Sequence, residues 1–276
     1  MAISKPMIAV GMVVIAVVAL AAGLYASPLI FPPSKEADPV WDRIQRAGRI
    51  IVGTEPGWPP YEFLNGTDIV GFEIELTEMI ADDLNLTVEW RNMAFDAIIP
   101  AVQAMDIDLG VSGFSVTADR LLEVQFTMPH SITEGQVIML KSRADSKGIT
   151  TLTSLSNLTD YNLQCGTQVG TTQRLELLQV APSALVTYND FLLALADMKS
   201  GQTDAVYAET PITSNWILQA EQAHEAQIVV VYRRPYYPVA FAASKDADTL
   251  VSKINGALAE IIASARLDEL KQEWKC

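Results

Sequence analysis

Apolar and polar positions follow two kinds of pattern along the first half of the globular chain, and each predicts a different element. Residues 73–84 place Leu76, Ile80 and Leu84 on one face of a helix, whereas short apolar runs are typical of buried strands. Pro100 is expected near the first turn of a second helix, where a missing N–H is tolerated. The predicted strands are 49–53, 87–90 and 107–111, and the predicted helices are 73–84 and 96–104. Strands that alternate with helices predict an α/β fold with parallel sheets.

The same order of elements recurs in the second half of the chain. Phe95 lies 13 residues before Asp108, and Phe191 lies 13 residues before Asp204, so each pair spans a predicted helix and ends at a strand. The recurrence predicts two lobes with matching topology. The elements predicted here are strands at 163–167, 184–188, 203–208, 228–232 and 237–242, a break at 233–235, and helices at 172–180, 190–199, 248–264 and 267–274.

The N-terminal region has a different composition from the rest of the chain. No residue between Lys5 and Lys35 is charged, and residues 7–24 are almost wholly apolar, close to the ~20 residues that span a bilayer as a helix. The basic residue before this run favours a cytoplasmic start and an extracytoplasmic remainder. We expect residues 1–27 to be an uncleaved transmembrane anchor or, alternatively, a signal segment, and the Pro-rich residues 28–39 to be a tether.

Composition excludes several classes of function. The 276 residues suffice for one large domain or two medium ones. The formal net charge of −14 repels phosphate backbones, so no nucleic-acid partner is expected. Two cysteines and two histidines allow neither a disulfide framework nor a four-cysteine zinc site. Because the usual nucleotide-binding and hydrolase motifs are also absent from the sequence, we predict no metal, no cofactor and no catalytic residue.

Chemically distinctive residues follow the predicted strands in both halves. In open α/β sheets, ligands bind beyond the carboxyl ends of the strands. If the two halves face each other, the cation Arg120, the carboxylate Glu209, several hydroxyls and two or three aromatic rings meet in one cleft, which suits a zwitterion. Each residue also has a purely structural explanation, such as a solvated arginine or a carboxylate at a helix start. The candidate ligand-binding residues are Glu55, Trp58, Phe95, Ser112, Gly113, Phe114, Ser115, Arg120, Gln168, Thr171, Thr172 and Glu209.

Five segments carry a resemblance to a known family. They are GTEPGWPPYEF at 53–63, VGFEIEL at 70–76, FDAIIPA at 95–101, SGFSVTADR at 112–120 and GTT at 170–172. In this order and spacing they resemble the family 3 solute-binding proteins, the amino-acid-binding components of ABC importers. The resemblance implies a two-lobe, type II periplasmic-binding-protein-like fold whose lobes are joined by two crossover strands. Lobe 1 would comprise 40–133 plus 235–276 and lobe 2 would comprise 134–234, with hinges near 131–135 and 232–238.

The resemblance also implies a role for individual residues. Arg120 would grip the ligand α-carboxylate, helped by the N–H groups of Ser115 and Thr172. Glu209 would hold the α-ammonium, with the Gly113 carbonyl and the Ser115 hydroxyl. The side chain of the ligand would lie between Trp58 and Phe95, with Glu55 at its polar end. The chain departs from the family in having FTMPHS at 126–131 where FSDPYY is common, and Glu where Asp is commoner at 209.

These inferences predict an extracytoplasmic protein that binds an amino acid, with a polar or cationic one favoured. It would deliver the ligand to an ABC permease in the membrane and act as a monomer. Two alternatives use the same scaffold. One is a dehydratase-like enzyme acting on a small carboxylate, because fold does not fix function. The other is a ligand sensor for a different membrane protein.

Overall fold

The computed structural model describes residues 38–276. The predicted anchor at 1–27 and nearly all of the predicted tether at 28–39 therefore lie outside the described residues. Within residues 38–276, no helix is both long enough and apolar enough to cross a membrane. The first helix, α1 (Pro39–Ala47), buries Val40, Trp41 and Ile44 against the core.

The first half of the described chain supplies four of the five strands of one sheet and several helices. Its elements are β1 (Arg49–Thr54), β2 (Gly57–Trp58), β3 (Glu62–Asn65), β4 (Asp68–Val70), α2 (Phe72–Asp83), β5 (Thr87–Asn92), α3 (Phe95–Gln103), β6 (Leu109–Gly110), α4 (Ala118–Glu123) and β7 (Gln125–Phe126). The predicted helices and strands of this half are all present, although β6 is shorter than the predicted 107–111.

The second half begins with a strand that we did not predict from the apolar pattern. Its elements are β8 (Ser131–Leu140), α5 (Lys141–Ser146), α6 (Asn157–Asp160), β9 (Cys165–Gln168), α7 (Thr172–Val180), β10 (Leu185–Tyr188), α8 (Phe191–Ser200), β11 (Ala205–Glu209), α9 (Thr210–Gln222), β12 (Ile228–Val239), β13 (Ala242–Ala243), α10 (Asp248–Ala263) and α11 (Arg266–Trp274). A short 3₁₀ turn at Pro182–Ala184 precedes β10.

Two five-stranded sheets organise these elements, in the orders β5-β1-β6-β13-β7 and β10-β9-β11-β8-β12. In each sheet the three strands that alternate with helices are parallel, and two further strands complete the sheet through antiparallel pairing. The parallel strands expected from the alternation are present, and each sheet has two further strands whose pairing the alternation did not predict. The antiparallel strands come from segments that do not belong to a strand–helix–strand unit, so the alternation in the sequence could not reveal them.

The two sheets share a structural device that matches the 13-residue spacing. In each sheet an aspartate accepts a backbone N–H at the start of the neighbouring strand and also pairs with an arginine. The contacts are Arg43 Nη2–Asp108 Oδ1 at 2.5 Å and Ile51 N–Asp108 Oδ2 at 2.8 Å, and Arg143 Nε–Asp204 Oδ1 at 2.5 Å and Gln164 N–Asp204 Oδ2 at 2.7 Å. Helices α3 and α8 begin at the equivalent residues Phe95 and Phe191. The internal duplication is thus visible in side-chain contacts.

The predicted break at 233–235 does not interrupt the backbone pairing. Strand β12 pairs with β8 from Ile228 to Val239, with register shifts between Val230 and Tyr232 and between Arg234 and Tyr237. A bulge lets a strand bend while it stays paired, and it accommodates a proline that has no N–H to donate. The predicted strand at 237–242 is divided between the end of β12 and β13.

Pro100 also lies in a different place from the one expected. It is inside α3 rather than in the first turn, and its carbonyl accepts the Ala104 N–H at 2.9 Å.

Strands β8 and β12 connect the part of the chain that forms the first sheet with the part that forms the second. They pair with each other from Leu140–Ile228 to Ser131–Val239, and Val239 also bridges to Ser115 beside the first sheet. The lobe boundaries given above, 40–133 plus 235–276 and 134–234, stay a prediction.

Candidate ligand-binding site

A cavity lies at the strand ends of the two sheets. The loops that follow β1, β6, β9 and β11 supply its walls, as expected for open α/β sheets. Every candidate residue lines it except Phe114. The lining residues are Glu55, Trp58, Glu62, Phe95, Ser112, Gly113, Ser115, Arg120, Gln168, Thr171, Thr172, Gln173, Phe191 and Glu209.

Phe114 lies behind the cavity and supports its wall. Its ring stacks on Phe95 with centroids 4.9 Å apart, and the Arg120 guanidinium carbon lies 5.2 Å from the Phe114 centroid. Phe114 therefore does not line the cavity, and its assignment as a ligand contact stays a prediction. A position after a strand identifies a residue near the site, but the backbone turn decides whether its side chain faces the cavity or the core.

Arg120 is a buried cation with uncharged partners. The Thr117 hydroxyl caps α4 by accepting the Arg120 backbone N–H at 3.3 Å. The guanidinium donates to the Ser115 carbonyl at 2.9 Å and to the Gly170 carbonyl at 3.1 Å. Among residues 38–276, no carboxylate lies within ion-pair distance of it. Burial lowers the pKa of Arg120 to about 10, so a ligand carboxylate here would meet a desolvated cation.

Glu209 is the corresponding buried anion, at the junction of β11 and α9. One carboxylate oxygen accepts from the Ser115 hydroxyl at 2.5 Å and from the Gln173 amide at 3.0 Å, and the other accepts from the Thr133 hydroxyl at 3.0 Å. Burial raises the pKa of Glu209, while these donors and the charge of Arg120 oppose the rise. A ligand ammonium would supply the cation that this carboxylate lacks.

Glu55 provides a second carboxylate at another part of the cavity. Both of its oxygens accept from the Gln168 amide, at 2.8 and 2.7 Å, and the same amide donates to the Asn189 carbonyl at 2.9 Å. Burial raises the pKa of Glu55 to about 7, with Gln168 opposing the rise and the charges of Asp190 and Asp96 adding to it. This end of the cavity therefore favours a cation or a hydrogen-bond donor.

Two glycines allow backbone segments to approach the cavity closely. Gly113 has φ +56, and a Cβ atom there would lie 2.2 Å from the Trp58 ring. Gly170 has φ +77, and a Cβ atom there would lie 2.8 Å from the Asp96 Cβ atom. L-residues with side chains rarely adopt these conformations, so glycine is required at both positions for conformation as well as space.

Three pairs of residues form hydrogen bonds between the wall from the first half of the chain and the wall from the second half. They are Gln168–Glu55, Ser115–Glu209 and Arg120–Gly170. The cleft is therefore closed, with the candidate carboxylate and ammonium sites inside it.

Three lining residues were missed by the sequence analysis. Phe191 occupies the position equivalent to Phe95, so the 13-residue repeat could have identified it. Glu62 lies within the segment 53–63, and Gln173 directly follows Thr172. His130 does not line the cavity; it lies behind the wall with its Nε2 atom 3.1 Å from Glu73 Oε1.

Two similar α/β halves that close over a cavity with a buried cation and a buried anion define a two-lobed solute-binding protein. The sequence model for bacterial extracellular solute-binding proteins, family 3, matches residues 50–275, and the chain belongs to this family. The resemblance inferred from the five segments is confirmed. Membership of an extracellular family also gives the protein an extracytoplasmic location.

Similar proteins agree with this assignment. The chain is 27% identical to the ABC transporter arginine-binding protein 1 of Escherichia coli (strain K12) over 83% of this chain and 91% of that protein. The structure of an ancestral arginine-binding protein bound to arginine is 30% identical, covers 82% of this chain and 98% of that one, and has a TM-score of 0.74. The predicted fold class, α/β of the two-lobe type II kind, is confirmed.

A further neighbour bears on the enzyme alternative. The ancestral amino acid-binding protein described as a precursor of cyclohexadienyl dehydratase is 26% identical, covers 84% of this chain and 98% of that one, and has a TM-score of 0.74. The named relatives are thus binding proteins, and one is described as the precursor of an enzyme.

Proposed function

We propose that this protein binds a cationic amino acid, arginine foremost, in the closed cleft and delivers it to an ABC permease. The observation that carries the proposal is the pair Arg120 and Glu209, each buried and each held by uncharged partners. An α-amino acid presents a carboxylate and an ammonium a few ångströms apart, so one ligand satisfies both groups. Buried ions that gain a partner of opposite charge contribute strongly to affinity.

The choice of a cationic side chain rests on the acidic end of the cavity. Glu55 lies there with Asp96 and Asp190 close enough to raise its pKa. A guanidinium or ammonium group on the ligand would attract all three carboxylates and so offset the repulsion between them. Arginine is also the ligand in the names of the Escherichia coli relative and of the ancestral structure.

The proposal also covers the partner of the protein and its place at the membrane. Delivery to a permease fits the family, and the apolar segment at 1–27 would keep the protein at the membrane. We expect the protein to act as a monomer. In the sensor alternative the same closed form would be presented to a different membrane protein. In the enzyme alternative Glu55, Glu62 and Glu209 are the carboxyl groups of the cavity, and its described lining includes no histidine.

The test is a thermal-shift screen of the full-length chain in detergent against the twenty amino acids, followed by calorimetry. A ligand at 100 times its dissociation constant stabilises a protein by about 2.7 kcal/mol. We expect the largest shift with L-arginine. Stabilisation by neutral amino acids alone would contradict the cationic assignment, and turnover of a small cyclic carboxylate would favour the enzyme.

The pH dependence of binding tests the role of Glu55. Its pKa of about 7 must fall when a cation binds beside it, so binding releases a proton below pH 7. We expect the dissociation constant for arginine to rise as pH falls below 7, by up to roughly tenfold per pH unit. In Glu55→Gln this dependence should vanish and the arginine affinity at pH 8 should drop. Equal losses for arginine and a neutral amino acid would show that Glu55 only supports its loop.

A further inference from the structure

Three titratable side chains are buried together at the cavity wall, and the proposed binding function gives none of them a role. Glu62 lines the cavity, whereas Glu73 and His130 lie behind its wall. Glu62 comes from β3, Glu73 from α2, and His130 from the segment before β8. The side chains of Glu73 and His130 are 0% exposed, and Glu62 as a residue is 0% exposed. Charged groups are seldom buried this completely without a purpose, because their desolvation is costly.

Each carboxyl group contacts one residue of the cavity wall. Glu62 accepts a hydrogen bond from the Ser112 hydroxyl at 3.2 Å, and Glu73 accepts the Gly113 backbone N–H at 2.8 Å. The Ser112 hydroxyl oxygen in turn accepts the Glu55 backbone N–H at 3.3 Å. The two carboxyl groups thus hold the Ser112–Gly113 wall and, through it, the start of the Glu55 loop.

The remaining oxygen of each carboxyl group has no well-aligned hydrogen-bond donor among the described residues. Glu62 Oε2 and Glu73 Oε1 are buried and unpartnered by geometry, although Glu73 Oε1 lies 3.1 Å from His130 Nε2. Within residues 38–276, neither carboxyl group pairs with a lysine or an arginine. Two carboxylates are both acceptors, so each can be satisfied by the other only when one of them carries a proton.

The electrostatics favour that proton on Glu62. Burial, followed by the charge of Glu73 and a hydrogen bond to Glu73, raises the pKa of Glu62 well above its usual value. A protonated Glu62 can donate to Glu73 while its other oxygen still accepts from Ser112.

We propose that Glu62 and Glu73 share one proton and act as positioning residues, holding the Ser112–Gly113 wall against which the ammonium group of the ligand is placed. The part of this proposal that concerns the ligand rests on the proposed function. The shared proton belongs to the protein itself and does not depend on what the cavity binds.

Other titratable groups face the pair, and their contributions to the pH dependence must be distinguished from that of Glu62 and Glu73. Tyr61 from the turn before β3 and Cys276 from the C-terminus both feel the charge of Glu73, and burial raises the pKa of each, that of Cys276 to about 12. Glu55, which faces Glu62, titrates near pH 7. His130 faces Glu73 directly. A direct comparison of variants at Glu62 cancels the contributions that these groups make in both proteins.

The first arm measures thermal unfolding of the full-length chain without ligand between pH 4.5 and 8. The unfolded chain loses the Glu62 proton above about pH 4.5, whereas the folded chain keeps it, so the wild type loses stability relative to Glu62→Gln as pH rises. We expect the unfolding temperatures to differ least near pH 4.5 and Glu62→Gln to gain steadily above it. The exposed Glu78→Gln, on the same α2 helix as Glu73, is the control and should show no such trend. A difference independent of pH would overturn the shared proton.

The second arm measures arginine affinity by calorimetry. Glutamine keeps both hydrogen bonds of a protonated Glu62, so Glu62→Gln should retain more of the arginine affinity than Glu62→Leu does. Glu62→Leu loses the acceptor of Ser112 and should bind roughly 3- to 10-fold more weakly. A loss of tenfold or more in Glu62→Gln would show that an ionised Glu62 contacts the ligand directly. This measurement does not need Glu62→Leu, so it can still overturn the proposal if Glu62→Leu does not fold. If the wild type binds no amino acid, the proposed function fails while the first arm still decides the shared proton.

Discussion

At the scale of single residues, the site depends on two opposite charges that are buried without touching each other. Arg120 and Glu209 each attract the other, and that attraction partly offsets the cost of burying them. Each nevertheless forms its hydrogen bonds with uncharged groups: the Ser115 carbonyl accepts from Arg120, and the Ser115 hydroxyl donates to Glu209. The arrangement leaves room for one molecule that carries both charges.

Replacing Arg120 tests the carboxylate position directly. Arg120→Ala should weaken amino-acid binding by over a hundredfold, because a buried ligand carboxylate without its charged partner costs about 3 kcal/mol. Calorimetry on the folded variant measures this. Arg174→Ala is the matched control, since Arg174 only reaches the Thr187 hydroxyl on the surface and its loss should leave affinity unchanged. Wild-type affinity in Arg120→Ala would remove Arg120 from the site.

The residues that the sequence could and could not identify differ in a physical way. Arg120, Glu209 and Glu55 are recognisable because charged residues after strands are chemically distinctive, and all three line the cavity. Phe114 lies behind the cavity instead of lining it, because its direction depends on the Gly113 turn, which the sequence does not reveal. Glu62 was missed because a glutamate in a short strand looks like an ordinary solvent-facing residue.

At the scale of elements, local patterns in the sequence predicted the helices better than the connecting strand β8. The helix at 172–180 has the predicted bounds, with Thr171 as its cap. Strand β8 was missed because several of its residues are polar yet buried. Thr133 donates to Glu209, and Gln136 accepts from Thr213 at 2.8 Å, so tertiary hydrogen bonds replace the apolar signal.

The second half of the molecule also has a clamp that fixes α7 to its sheet. Glu176 on α7 accepts from the Tyr207 hydroxyl at 2.6 Å and from the Arg234 guanidinium at 2.7 Å, and it contacts the Tyr237 hydroxyl. Arg234 and Tyr237 flank a register shift in β12. The clamp therefore holds the helix whose N-terminal end faces the cavity.

Removing the clamp should reduce stability. Glu176→Ala leaves the buried Tyr207 hydroxyl without its acceptor, and we expect a loss of about 1–3 kcal/mol in the free energy of unfolding. Denaturant unfolding followed by circular dichroism measures the change. Glu225→Ala, which breaks only the exposed pair with Lys199, should change stability by less than about 1 kcal/mol. Equal effects of the two substitutions would show that the clamp contributes no more than a surface ion pair.

At the scale of the whole molecule, the two halves of the chain place opposite charges on the two walls of the cleft. Arg120 comes from the first half and Glu209 from the second, and both line the cavity. Ligand binding can drive closure only if the ligand has a higher affinity for the closed form. A zwitterion that contacts Arg120 on one wall and Glu209 on the other meets this condition.

Substituting Glu209 should separate binding from closure. Glu209→Ala keeps the carboxylate site at Arg120 but removes the anion that would attract the ammonium across the cleft. Moving a population from 1:99 to 99:1 takes about 5.5 kcal/mol of differential affinity, so the loss of one buried charge pair is enough to leave most molecules open. We expect the radius of gyration of the unit from Pro39 to Cys276 to contract with arginine in the wild type but not in the variant at the same ligand concentration. Small-angle scattering measures this.

Glu209→Gln, which keeps the hydrogen-bonding shape without the charge, should contract partially. A Glu209→Ala protein that still contracts at the wild-type ligand concentration would show that the ammonium is held elsewhere, and that Glu209 only stabilises the start of α9.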